Sequence, residues 1–353
     1  MDLYTFMTLC RSGDHDEIVK TFKREDIAKN ANLGLIISCI EGHVEVAKIM
    51  IKNGANVNAY DDIFEYGKKI IILSCEKGHV DIVKLLIDNG ANVKAISPCG
   101  YGLFKISCIN GNADMVKMLL SYDIADNESG FMKACRYGHT EVVKLLVNIV
   151  DINNVDMYGD TALIQACKFG HTDIVKLLLE AGANINHKNN EGYTGFIASC
   201  AWNERTSDTI QLLIDRGANL YHRNNKGHTG FVAACTNYMD TVVNILIYNN
   251  VDIIRNECNG NSILKLMFNK KYRREHSHDL LMIRWINIIK LIVSSYDDHR
   301  EHITDLSTED VESIEAYVKT DEHKKLKKSI CDKRASKLFS WFVLLSDDYY
   351  KLK

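Results

Sequence analysis

The chain has 353 residues, room for two or three average domains, and its 46% apolar and 25% charged residues match a globular protein and exclude a mainly disordered one. A net charge of -3 argues against nucleic acid as the partner, and the single proline, Pro98, excludes proline-rich linkers and polyproline ligands. No apolar run reaches the roughly 18 residues of a membrane span, and eleven cysteines are too few for a disulfide scaffold.

The first residues, MDLYTFMTLCRSGDHDE, lack a basic segment followed by an apolar stretch, so no secretory leader is expected. Helical hairpins are then predicted in succession. HVEVAKIMIKNGANV begins at His43, HVDIVKLLIDNGANV at His79 and ADMVKMLLSYDIA at Ala113. HTEVVKLLVNIVDI begins at His139 and HTDIVKLLLEAGANI at His171. SDTIQLLIDRGANL from Ser207, DTVVNILIYNNVDI from Asp240 and INIIKLIVSSYDD from Ile286 are weaker copies. The glycines that open these blocks, Gly42, Gly78, Gly111, Gly138 and Gly170, are 36, 33, 27 and 32 residues apart. A period near 33 points to a helix–turn–helix solenoid. Each glycine ends a first short helix in a left-handed position. The second helix carries apolar residues at i, i+3 and i+4, such as Ile82, Leu85 and Leu86. Gly-Ala-Asn then ends it at Gly54, Gly90, Gly182 and Gly217, before an extended turn. Repeat quality varies: the unit around Gly67 carries extra residues, the one near Asp126 is short, and 203–207 lengthen an inter-helix loop.

The pattern G-H-x-x-[IV]-V-K-L-L-[LIV]-x-x-G-A-N resembles the ankyrin repeat over residues 1–293, about nine units. The resemblance implies an all-α helical solenoid with short hairpin loops. The Thr-Pro-Leu-His start of the family's first helix is replaced by Thr161-Ala162-Leu163-Ile164, Thr194-Gly195-Phe196 and Thr229-Gly230-Phe231. The threonines still suit an N-cap, but without proline the helix starts are expected to be less rigid. The bias toward Asn, Lys, Ile and Tyr, the SCxxGH and ACxxGH units and the ending FVLLSDDYYKLK are also similar to ankyrin proteins of giant amoebal DNA viruses. That likeness implies a host protein as partner and the host cytoplasm, with the nucleus as the alternative.

Cys10, Cys39, Cys75, Cys108, Cys135, Cys167, Cys200 and Cys235 occupy one repeat position. Equivalent positions on stacked helices lie about 8–10 Å apart, too far for a disulfide or a shared zinc ion. The resemblance places them where the family has a small buried alanine, so they are read as core thiols in a reducing compartment. Cys99, Cys258 and Cys331 have no evident partner. His276 with His278, and His299 with His302, lack a third ligand at tetrahedral spacing, so no metal site is assigned. Lys48, Lys84, Lys117, Lys144 and Lys176 form a ladder offset by Glu45, Asp81 and Glu141, read as a solvated face. Phosphate-loop, H-E-x-x-H and G-x-S-x-G motifs are missing, and no paired acid and base stands out, so neither enzyme nor cofactor is expected.

The residues just before the opening glycines lie at the end of the first helix, which in the ankyrin family lines the concave, partner-binding face. They read Glu41, Lys77, Asn110, Tyr137, Phe169, Trp202 and, in the weaker unit that follows, Asn237. Tyr137, Phe169 and Trp202, with Arg136 and Lys168 beside them, form the candidate binding centre. Tyr60, His187, Tyr221, His222, Arg223 and Arg255 at hairpin tips form its candidate rim. Residues 294–353 break the repeat: an acidic stretch (297–315), a basic one (324–337) and LFSWFVLL (338–345) are read as a helical cap over the last repeat. The expected function is a monomeric, non-catalytic scaffold for a protein partner. The alternative is an adaptor that recruits a ubiquitin ligase through the C-terminal helices, as F-box-like segments do in poxvirus ankyrin proteins, although the Leu-Pro start of such a segment is missing here.

Overall fold

The computed structural model describes residues 2–61, 67–202, 206–249 and 251. The predicted cap (294–353), its boundary at 293/294, the unit at Ile286, Arg255, Cys258, Cys331 and the four paired histidines lie outside the described residues.

Helices come in antiparallel pairs. The second helix of each pair follows the one-sided pattern: in α7 (Val80–Asp88), Ile82, Val83 and Leu86 are buried while Asp81 and Lys84 face water. Most first helices are more deeply buried, as in α6 (Ile70–Lys77), where every residue from Ile70 to Cys75 is in the core, whereas the one over Asn127–Tyr137 buries only Gly130, Phe131, Ala134 and Cys135. The difference follows from position. A first helix packs against its own partner and against the first helices on either side, so no full face is left for solvent.

The chain divides into two units, Met1–Asn184 and Ile185–Lys353. In the first, α1 (Leu3–Ser12), α4 (Ala31–Glu41), α6, α8 (Leu103–Asn110), α10 (Asn127–Tyr137) and α12 (Ala162–Phe169) stack as one row. A second row consists of α2 (His15–Thr21), α5 (Val44–Lys52), α7, α9 (Ala113–Ser121), α11 (Thr140–Leu146) and α13 (Thr172–Glu180). A short extra helix, α3 (Arg24–Lys29), replaces the first hairpin turn. In the second unit α14 (Gly195–Trp202) packs on α16 (Gly230–Thr236), and α15 (Ser207–Asp215) on α17 (Asp240–Tyr248).

The irregular units behave as their lengths dictate. On either side of Gly67 the chain forms a small antiparallel ladder, β1 (Tyr60–Asp61) on β2 (Lys68–Lys69), an addition to the all-α plan. The short unit has no hairpin turn between α9 and α10, and Asp123 takes the left-handed position (φ 57°) that glycine holds elsewhere. Tyr238 does the same (φ 59°) between α16 and α17.

Thr161, Thr194 and Thr229 do cap their helices, accepting from the backbone N–H of Ile164, Ile197 and Val232 at 3.3, 3.3 and 3.2 Å. The structure also gives a reason for glycine in place of proline after Thr229. A Cβ on Gly230 would lie 2.5 Å from the Phe196 ring of the preceding repeat, so the large residue of one unit requires the smallest in the next.

Candidate protein-binding surface

The surface is held in register by contacts between successive repeats. His43, His79, His139 and His171, each at the start of a second helix, reach back to the preceding first helix. Their Nε2 atoms lie 2.7, 3.0, 2.6 and 3.0 Å from the carbonyl oxygens of Arg11, Ile40, Ile109 and Arg136. A carbonyl only accepts, so Nε2 carries the hydrogen. Asn112 takes the histidine position in one unit and donates from Nδ2 to the Gly78 carbonyl at 3.3 Å. The hairpin turns are tied by asparagines: the backbone N–H groups of Asn92, Asn184 and Asn219 donate to the side-chain oxygens of Asn58, Asn153 and Asn186 at 2.7, 2.8 and 2.8 Å.

On this scaffold four of the five candidate centre residues fall in the first unit. Arg136 and Tyr137 end α10 and are exposed, Tyr137 at 49%. The Arg136 guanidinium sits over two rings, 6.0 Å from the Tyr137 centroid and 5.3 Å from that of Phe169 on α12. Phe169 in turn stacks on His171, with centroids 6.3 Å apart at 21°. The Arg136 carbonyl accepts from that same histidine, so backbone and side chain are both fixed relative to Phe169. Lys168 and Phe169 are half-buried. The arrangement is an ordered, amphipathic patch with a fixed cation at its centre.

Trp202 belongs to the second unit. It is 43% exposed and packs on Tyr193 of its own hairpin, centroids 4.6 Å apart, with Tyr193 only 8% exposed. Part of its role is therefore to cover that hairpin. Among the rim residues, Tyr60 lies in the first unit with the Lys69 ammonium 5.7 Å from its ring. His187, Tyr221, His222 and Arg223 lie in the second. Tyr221 is exposed, His187 is half-buried, His222 Nε2 donates to the Gly192 carbonyl at 3.1 Å, and Arg223 donates to the Gly227 carbonyl at 3.1 Å.

Sequence reading missed a second cation–aromatic group. Lys105 on α8 and Lys133 on α10 bring their Nζ atoms to 5.2 and 5.9 Å from the Tyr101 ring. Alignment on the opening glycines held the signal. Lys105 shares a column with Ile72, Met132 and Ile164, and Lys133 with Leu73, Ile106 and Gln165, so each is a charge in a column otherwise uncharged.

The second-helix lysines are different. Lys48, Lys117 and Lys144 pair with Glu45, Asp114 and Glu141 at 2.6, 3.7 and 2.7 Å. These three rungs of the ladder are charge-neutralised.

The eight repeat cysteines are buried. Burial pushes the thiols of Cys39 and Cys108 up to about 12 and that of Cys75 to about 11. Cys75 Sγ instead makes neutral contacts, 3.4 Å from the Leu103 carbonyl and 3.3 Å from Ser107 Oγ. Among the described residues no group of three or more His, Cys, Asp or Glu is placed to hold a metal ion, and no helix is long and apolar enough to cross a membrane.

Comparison with known proteins agrees with this architecture. The family model for ankyrin repeats, in three copies, matches residues 6–97 and 103–189. The crystal structure of the human ASB11 ankyrin repeat domain is similar at 30% identity and a TM-score of 0.50, over 57% of this chain and 90% of that one. The ankyrin repeat domain of Bcl-3, a member of the IkappaB family, is 22% identical with a TM-score of 0.48, over 60% of this chain and 96% of that one. A search of curated proteins finds no match. Ankyrin repeats are general protein–protein interaction modules and typically non-catalytic scaffolds. With its paired helices, glycine caps and interlocking histidines, the chain belongs to the ankyrin repeat family.

Proposed function

We propose that the chain is a non-catalytic scaffold that binds a protein partner on the first-helix face of residues 1–184, centred on Arg136, Tyr137 and Phe169. The observation that carries this reading is the guanidinium held between two rings on exposed helix ends. Aromatic and arginine side chains fixed before binding lose little entropy on association, which is the composition of an interface anchor. The core thiols support a reducing compartment, cytoplasmic or nuclear, and the Asn- and Lys-rich composition supports a viral source with a host partner. The test is selection of peptides from a displayed 12-residue library on the full chain, followed by titration of a selected peptide against Tyr137→Ala and Arg136→Ala. Each variant is expected to weaken binding at least tenfold, about 1.4 kcal/mol, with an unchanged melting temperature. Wild-type affinity in both variants would remove this surface from consideration.

A further inference from the structure

The cations on the two faces of the repeats are treated differently. On the second helices, Lys48, Lys117 and Lys144 are matched by carboxylates one turn earlier, Glu45, Asp114 and Glu141. On the first helices, Lys105, Lys133 and Arg136 face aromatic rings, and among the described residues none of the three is paired with a carboxylate. Acids nearby are engaged elsewhere. Glu76 on the neighbouring α6 is held by Lys68 at 2.8 Å, and Asp126 and Glu128 sit at the N-terminal turn of α10, where they complement the helix dipole.

Lys105 and Lys133 each lie within 6 Å of the centre of one ring, so two like charges share a single aromatic neighbour. Arg136 follows Lys133 by three residues, on the same side of α10. Like charges brought together without a counter-charge are electrostatically unfavourable, and an anion that binds among them relieves this. From this unmatched charge we infer that the binding face recognises an acidic peptide segment, with two or more carboxylates set against Lys105, Lys133 and Arg136, and an apolar or aromatic side chain against Tyr137 and Phe169. The inference rests on the proposed binding face and specifies the chemistry of its partner. The rings add apolar contact and keep the ammonium and guanidinium groups oriented, which favours a peptide over a bare polyanion.

The same displayed library tests it. Peptides selected on the full chain are expected to carry at least twice the Asp and Glu content of the unselected library. A selected peptide is expected to lose at least tenfold in affinity between 50 and 500 mM salt. Lys105→Gln with Lys133→Gln, which removes both charges and leaves a polar side chain on each helix, is expected to weaken it at least tenfold with an unchanged melting temperature. A selection with no acidic excess overturns the inference, and so does an affinity indifferent to the double variant. If Tyr137→Ala still weakens binding in that case, the binding face stands and only its acidic preference falls. A labelled single-stranded oligonucleotide that binds tighter than the peptide and is equally sensitive to the double variant would assign the face to nucleic acid instead.

Discussion

Alanine at Gly111 tests the interlock between repeats. Gly111 ends α8 at φ 71°, and a Cβ there would lie 2.3 Å from His139 Nδ1. The left-handed backbone alone costs an alanine about 1 kcal/mol. The ring must also move, and with it goes the bond from His139 Nε2 to the Ile109 carbonyl, 2.6 Å long, which contributes about 1 kcal/mol. The total is about 2–3 kcal/mol, a fall in melting temperature of roughly 5–10 °C for a unit of this size. Gly90→Ala is the control: its φ is 85°, but nothing lies within 4 Å of the added Cβ, so only the backbone cost of about 1 kcal/mol applies. In a His139→Ala background the penalty at Gly111 is expected to fall to that of the control, a coupling of about 1 kcal/mol or more. Urea and thermal melts of the four variants measure it. If Gly111→Ala and Gly90→Ala cost the same, the histidine is a bystander and the reasoning fails.

Three further outcomes follow from the same contacts. Thr161→Ala, which removes the cap on Ile164 N–H, is expected to lower stability by about 1 kcal/mol, and Thr161→Ser to restore most of it; equal stability of all three proteins in urea would deny the cap a role. The thiols of Cys39 and Cys108, raised by burial from near 9 to about 12, stay protonated in the fold while the unfolded chain ionises. The folded state then holds more protons, so stability falls as pH rises above about 9, by about 1.4 kcal/mol per pH unit for each thiol, and a flat urea midpoint between pH 8 and 10.5 would contradict it. His228 is held below its ordinary value of 6.5 first by burial and then by Lys226. The unfolded chain takes up its proton first, so stability is expected to fall as pH drops below about 6.5, and His228→Asn to flatten that slope; a slope that survives the substitution assigns it to other groups.

The repeat length, the helix pairs and the core columns were all legible in the sequence, because glycine, Gly-Ala-Asn and apolar spacing act locally and recur. Tyr137 and Phe169 were legible for the same reason, since their distance from the opening glycine fixes them at a helix end. Lys105 and Lys133 were not singled out, because each looks ordinary within its own helix and stands out only when the columns of neighbouring repeats are compared. Trp202 was read as one of three equivalent rings, yet its contact with Tyr193 comes from its own hairpin.

Local chain chemistry thus determined which segments become helices and where each turns back. What one repeat places against the next was decided only in three dimensions. That includes the histidine over the preceding glycine, the Phe196 ring that requires Gly230, and the single aromatic ring shared by lysines from two helices. The reason is physical: these contacts join residues some thirty positions apart, and their geometry depends on how closely whole hairpins pack, which no single repeat encodes.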